Sequence, residues 1–171
     1  MAKSQCPNLS GWKRLSVPSR EKGRDVPCRL IKPHHGGEVQ GVFMHIHGGG
    51  WVLMTEKEPF PEEDRKRRKV AVVSIGYRIA PEHPFPQGPE DSYDAAEWLV
   101  DNAQSGFGAP VIFTGGESAG AQLITLTTFH LLKTRPTLAF NALILSFGPL
   151  HAATPPQRQK PPSCNQQLNR A

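Results

Sequence analysis

Residues 70–77 read VAVVSIGY, a near-continuous apolar run rich in valine. A strand with one wet face alternates apolar and polar residues. A run without alternation is covered on both faces, as in a parallel sheet wrapped by helices. Parallel neighbours need a long crossover between them, usually a helix. The surrounding chain supplies such units. Residues 41–47 (GVFMHIH) predict a largely buried strand, residues 110–114 a short buried one, and residues 141–147 (NALILSF) a last one. Between them, residues 90–102 place Tyr93, Ala96, Trp98, Leu99 and Val100 at helical spacing behind leading acids, and residues 118–133 form a second helix. Residues 59–69 (PFPEEDRKRRK) put acids first and bases last, which suits a helix dipole. The expected class is therefore α/β, a mostly parallel sheet flanked by helices.

The ends differ from this middle. Residues 1–24 are polar, with isolated apolar residues and no clear period; residues 26–31 predict a short strand closed by Pro33. From Thr154 the chain holds four prolines and one larger aliphatic residue, Leu168, too little to bury and fold. Three segments are expected: a polar leader (1–24), one domain (25–150) and a disordered Pro-rich tail (151–171). A length of 171 residues suits a single domain.

Three scattered cysteines form no CxxC or Cys/His spacing, which argues against a zinc site and for a reducing, cytoplasmic location. No start segment has a signal-peptide core, and no 18-residue apolar run spans a membrane. His34-His35 reads as a surface turn before a metal site, and RKRRK as a solvated helix face before a nuclear signal. The net charge of +5 is uneven: all 15 acids precede Ser118, while Lys133, Arg135, Arg158, Lys160 and Arg170 follow it. Five charges spread this widely make no nucleic-acid patch. No metal or cofactor is expected.

Two motifs carry chemistry. Gly116-Glu117-Ser118-Ala119-Gly120 sits between an apolar strand and a helix. A serine on a sharp strand-to-helix turn exposes its hydroxyl and needs small residues at ±2; a plain glycine-rich turn is the alternative. His47-Gly48-Gly49-Gly50-Trp51 follows another strand, and its glycines leave backbone N–H groups uncovered. Such groups can stabilise a developing oxyanion. As a phosphate loop the segment fails, since no GK[ST] follows. A third block, residues 77–86 (YRIAPEHPFP), reads only as a rigid turn after a central strand.

Together the three blocks resemble the hormone-sensitive-lipase-like branch of the α/β-hydrolase fold, known as fold-3. Residues 41–53, 70–101 and 110–148 follow it in order and spacing. The resemblance implies a carboxylic ester hydrolase acting on a small-molecule ester, with Ser118 as nucleophile. It also implies an oxyanion hole from the N–H groups of Gly48, Gly49 and Ala119. His47 would orient the glycine loop without acting as base, and Gly50, Gly116 and Gly120 would support the motifs. The family is roughly twice this length, and its triad acid and histidine lie in the C-terminal half. Here only His130 and His151 follow Ser118, and no acid follows Glu117. The expectation is a hydrolase truncated after its sixth strand, lacking the rest of the triad, with an exposed edge at residues 141–147. Its tail from Pro149 resembles translation of non-coding or out-of-frame sequence. Two other classes compete: a non-catalytic binding protein, as in the gibberellin receptors of the same family, and an interaction fragment carried by the basic tail. Oligomeric state is left open.

Overall fold

The computed structural model describes residues 12–33, 38–58 and 69–149. A six-stranded mixed sheet organises them. β1 (Trp12–Pro18) and β2 (Asp25–Ile31) form an antiparallel pair. β2 pairs antiparallel with β4 (Val70–Ile75), and β4, β3 (Gly41–Ile46), β5 (Val111–Glu117) and β6 (Ala142–Ser146) run parallel. The spatial order is β1-β2-β4-β3-β5-β6. Two helices, α1 (Gln87–Phe107) and α2 (Ala119–Thr134), pack on the sheet and on each other. The architecture is the mostly parallel α/β sheet that the valine run demands.

Packing follows the sequence pattern. Five of the six β4 residues are buried, and Met44, Ile46, Val73 and Ile75 are fully enclosed. Leu99, Leu123, Ile124 and Leu131 close over them from the helices. α1 begins at Gln87, earlier than the acids suggested, because Pro89 is tolerated in a first helical turn, where its missing N–H has no partner to lose. It ends where Gly108 turns left-handed at φ 86° and returns its N–H to Gln104. β5 runs three residues beyond Thr114, since Gly115 and Gly116 pair with both β3 and β6.

One segment departs from expectation. Residues 12–18, read as polar and aperiodic, are a strand in full register with β2. Only Leu15 and Val17 turn inward, too few to show a period of two. The Arg29 guanidinium lies 5.1 Å from the Trp12 ring centroid, a cation–π contact across this pair. The sheet therefore includes residues placed outside the domain by sequence. The helix expected over 59–69 falls almost wholly outside the described residues, as do the His34–Gly37 turn and the tail.

Among the described residues β6 is a sheet edge, with Leu143 and Ile144 exposed to 40% and 46%, and Phe147 beyond it to 82%. An apolar unpaired edge templates pairing with other chains. Ile144→Lys is expected to slow aggregation, followed by light scattering. Because the site is exposed, the urea unfolding free energy should shift by no more than ~0.5 kcal/mol.

Candidate active site

Ser118 sits between β5 and α2 with φ 51° and ψ −120°. A non-glycine residue held there stores of order 1–3 kcal/mol of strain, which surrounding structure must impose. The imposed contacts are visible. Its N–H donates to Ser146 O at 2.9 Å, and its carbonyl accepts from the Ala121 and Gln122 N–H groups. Gly116 and Gly120 explain why the turn tolerates nothing larger. A Cβ at Gly116 would lie 2.6 Å from Ile46 O and 2.7 Å from Gly120 backbone; one at Gly120 would lie 2.1 Å from Ile46 O. The elbow is thus pressed onto the end of β3.

The glycine loop leaves that same end. A Cβ on Gly48 would stand 3.4 Å from the Ser118 Cβ, so loop and serine are in contact. Gly49 (φ 95°) and Gly50 (φ 61°) are left-handed, and Gly49 O accepts from Val52 and Leu53 N–H. Trp51 O then accepts from Ala80 N–H at 2.8 Å. Gly48, expected as an oxyanion donor, instead gives its N–H to Glu117 Oε1 at 3.0 Å. The N–H groups of Gly49, Gly50 and Ala119 donate to no described residue. The Gly48 N–H is thus committed to Glu117, whereas that of Gly50 has no described acceptor.

His47 is fully buried and stacks on Tyr77, ring centroids 4.4 Å apart at 16°. Its Nδ1 faces Gly48 O at 3.0 Å, an obligate acceptor, so Nδ1 carries the hydrogen. Burial pushes its pKa down, and the ring is neutral. Tyr77 Oη donates to Gly48 O at 3.0 Å and His47 O at 3.2 Å. Tyr77 is held in turn by its neighbour. Arg78 grips the fully buried Asp91 carboxylate with Nε and Nη2, each at 2.9 Å, and Arg24 binds the same carboxylate. Asp94, one turn on, takes Arg20 and Ser19 from the β1–β2 turn. The 77–86 block thus fastens the glycine loop to α1 and the β1–β2 turn, a role no local pattern announces.

The remaining titratable groups lie elsewhere. His130 Nε2 pairs with Glu97 Oε1 at 2.8 Å and stacks on Tyr93; Asp101 binds Arg135. Ser118 Oγ makes no hydrogen bond among the described residues, and none of their histidines reaches it. His151 lies outside the described residues. Among the described residues no cluster of three His, Cys, Asp or Glu can hold a metal, and no helix is long and apolar enough to cross a membrane. Two side chains that the motifs did not flag, His45 and Glu117, meet beside the elbow: Nε2 to Oε2 is 2.7 Å. Their signal was position, since polar residues at the C-terminal ends of parallel strands face the usual site of such sheets. A cavity of about 340 Å³ opens nearby, lined by Trp51, Tyr77, Phe85, Gln122, Leu123 and Leu126.

A family model described as an alpha/beta hydrolase fold matches residues 43–170. The chain belongs to the fold-3 branch of the α/β-hydrolase family. It is 36% identical over 102 residues to the carboxylesterase NlhH of Mycobacterium tuberculosis, a match covering 58% of this chain and 32% of that protein. It is 36% identical over 115 residues to the hormone-sensitive lipase of Bos taurus, covering 65% and 15%. Among solved structures it resembles a bacterial heroin esterase at 28% identity and a TM-score of 0.68, covering 80% of this chain and 44% of that one. This α/β-hydrolase chain therefore spans about a third of the carboxylesterase and under half of the heroin esterase. Its relatives are named as carboxylesterases and lipases, which sets the hydrolase class of the family.

Two outcomes follow from this geometry. Asp91→Ala takes the buried carboxylate from two guanidinium groups and should cost about 3 kcal/mol, the lower end for a broken buried pair because both arginines keep Glu21; urea unfolding measures it. Glu117 titrates in a second test. Burial pulls its carboxyl upward, but His45 and the Gly48 N–H outweigh this and hold it below the ordinary 4.5. A carboxyl with a lowered folded pKa stabilises above its unfolded pKa and loses that contribution as pH falls through the folded one. The stability advantage of wild type over Glu117→Gln should therefore shrink from about pH 6 to about pH 3, read from urea midpoints.

Proposed function

We propose that this chain carries the nucleophile and oxyanion hole of a serine carboxylic ester hydrolase. The observation that bears most weight is the strained Ser118 turn, closed by Gly116 and Gly120 against the glycine loop. Ser118 Oγ attacks the ester carbonyl carbon, and the N–H groups of Gly49, Gly50 and Ala119 receive the oxyanion. Collapse forms the acyl-serine and expels the alkoxide, which takes the serine proton through a base. Water then attacks the acyl-serine and frees the acid. One oxyanion donor of this kind is worth about 3–4 kcal/mol. His47 is spent on loop geometry, and the base is not one of the described histidines. The apolar cavity beside Trp51 and Leu126 suits the hydrocarbon part of a small ester.

A second reading has its own support. A site with a glycine loop and a cavity, and with no base on Ser118 among the described residues, suits a binder that does not turn over its ligand. The two part on one assay. Hydrolysis of p-nitrophenyl butyrate by the 171-residue chain should exceed that of Ser118→Ala; a serine hydrolase site with no histidine on its serine runs about 10⁶ more slowly in kcat. Equal background rates for both proteins would remove Ser118 from catalysis in this chain and favour the binding reading.

A further inference from the structure

We infer that His45 is a positioning residue for the glycine loop, acting through Glu117. The inference rests on the reading of residues 48–50 as an oxyanion loop. Three parallel strands end at this point, and each contributes one polar side chain: His45 from β3, Ser74 from β4 and Glu117 from β5. The register places His45 beside Ser74 on one side and Gly115 on the other, so the imidazole lies across the strand ends.

Glu117 works as a bridge. One oxygen accepts the Gly48 N–H at 3.0 Å, and the other faces His45 Nε2 at 2.7 Å. A carboxylate is an obligate acceptor, so His45 Nε2 carries a hydrogen. His45 Nδ1 then lies 3.2 Å from Ser74 Oγ, whose hydroxyl serves as donor or acceptor. With His45 in place, the carboxylate has only one orientation that satisfies both oxygens. That orientation pins Gly48, the residue that sets where Gly49 and Gly50 begin. Without His45 one carboxylate oxygen loses its partner, and rotation about the terminal bond, which is soft, releases the loop. The site is 11% exposed at His45 and 30% at Glu117, so the pairing is shielded from competing water more than a surface pair is.

Two histidines two residues apart thus do opposite things to one glycine. His47 takes the Gly48 carbonyl through Nδ1, and His45 takes the Gly48 N–H at one remove through Glu117. Gly48 is gripped at both backbone groups, and Tyr77 Oη adds a second donor to its carbonyl.

The test uses the 15N-labelled 171-residue chain and follows amide hydrogen exchange at Gly48. In His45→Phe, which keeps a planar ring but no donor, Gly48 exchange should accelerate at least about tenfold while Val73 in β4 stays unchanged. His45→Gln, whose amide can donate to Glu117, should return Gly48 to within about threefold of wild type. Unchanged Gly48 exchange in His45→Phe, or a His45→Gln protein as fast as His45→Phe, overturns the inference. Should His45→Phe fail to fold, a pH titration of wild type decides. The groups that face this pair are His47, Tyr77 and, through its charge on His47, Glu56. As the Glu117 carboxylate takes up its proton, the Gly48 amide should move with the Glu117 carboxyl carbon, and the His45 ring nitrogens should sense the same step; a Gly48 signal indifferent to the Glu117 carboxyl overturns it. Ser118→Ala should leave Gly48 exchange as in wild type. Failure of ester hydrolysis therefore tells against the catalytic reading alone, and free exchange at Gly48 tells against this one alone.

Discussion

The close approach of the Ser118 turn to the carbonyl oxygens that end β3 governs everything else in this chain. Gly120 would put a Cβ 2.1 Å from Ile46 O and 2.5 Å from His47 O, and Gly116 would meet the same Ile46 oxygen at 2.6 Å. Backbone meets backbone there, and no side chain can yield to make room. Once that contact is made, β3 and β5 must be parallel neighbours with Ile46 opposite Gly116. The glycine loop leaving β3 must then rise beside the serine leaving β5. Strain at Ser118, with its positive φ, is held by this packing and not by any local preference.

A second constraint works from the opposite side of the loop. His47 and Tyr77 stack, and both bind Gly48 O. Tyr77 is one residue from Arg78, whose guanidinium is locked on Asp91 in α1. The β1–β2 turn adds Arg20 and Arg24 to the same acidic face of α1. A surface ion pair is worth little, but these carboxylates are buried, and each accepts several donors, so loss of one member leaves others uncompensated. The loop is fixed by elements far apart in sequence, residues 19–24, 77–78 and 91–94, and that is why β1 belongs to the working structure.

What the sequence revealed and what it hid divide along physical lines. The strands at 41–46 and 70–75 were legible because two-sided burial leaves an unbroken apolar run. The Ser118 turn was legible because glycine at ±2 is a steric demand written in residue type. β1 was not, since an edge strand with two inward residues has no period to read. The Gly48–Glu117 contact was hidden because three successive glycines look alike in sequence, while only a fold decides which N–H meets Glu117. The same holds for His45, whose value comes from a carboxylate 72 residues away. Hydrogen-bond partners across a sheet are set by register, and register is a tertiary quantity.

The charge distribution sharpens what this half of a hydrolase fold can do alone. Every acidic residue precedes Ser118, and three of those near the site are committed: Asp91 and Asp94 to arginines, Glu117 to His45 and Gly48. His45 and His47 each have a hydrogen placed by an oxygen acceptor, on Nε2 and Nδ1 respectively, and both are bound into loop geometry. Recruiting either as a base on Ser118 would dismantle the glycine loop that is proposed to hold the oxyanion. Nucleophile positioning and proton transfer are therefore separable in this fold. On the proposed reading the described residues serve the first, and Ser118 Oγ has no described hydrogen-bond partner to serve the second.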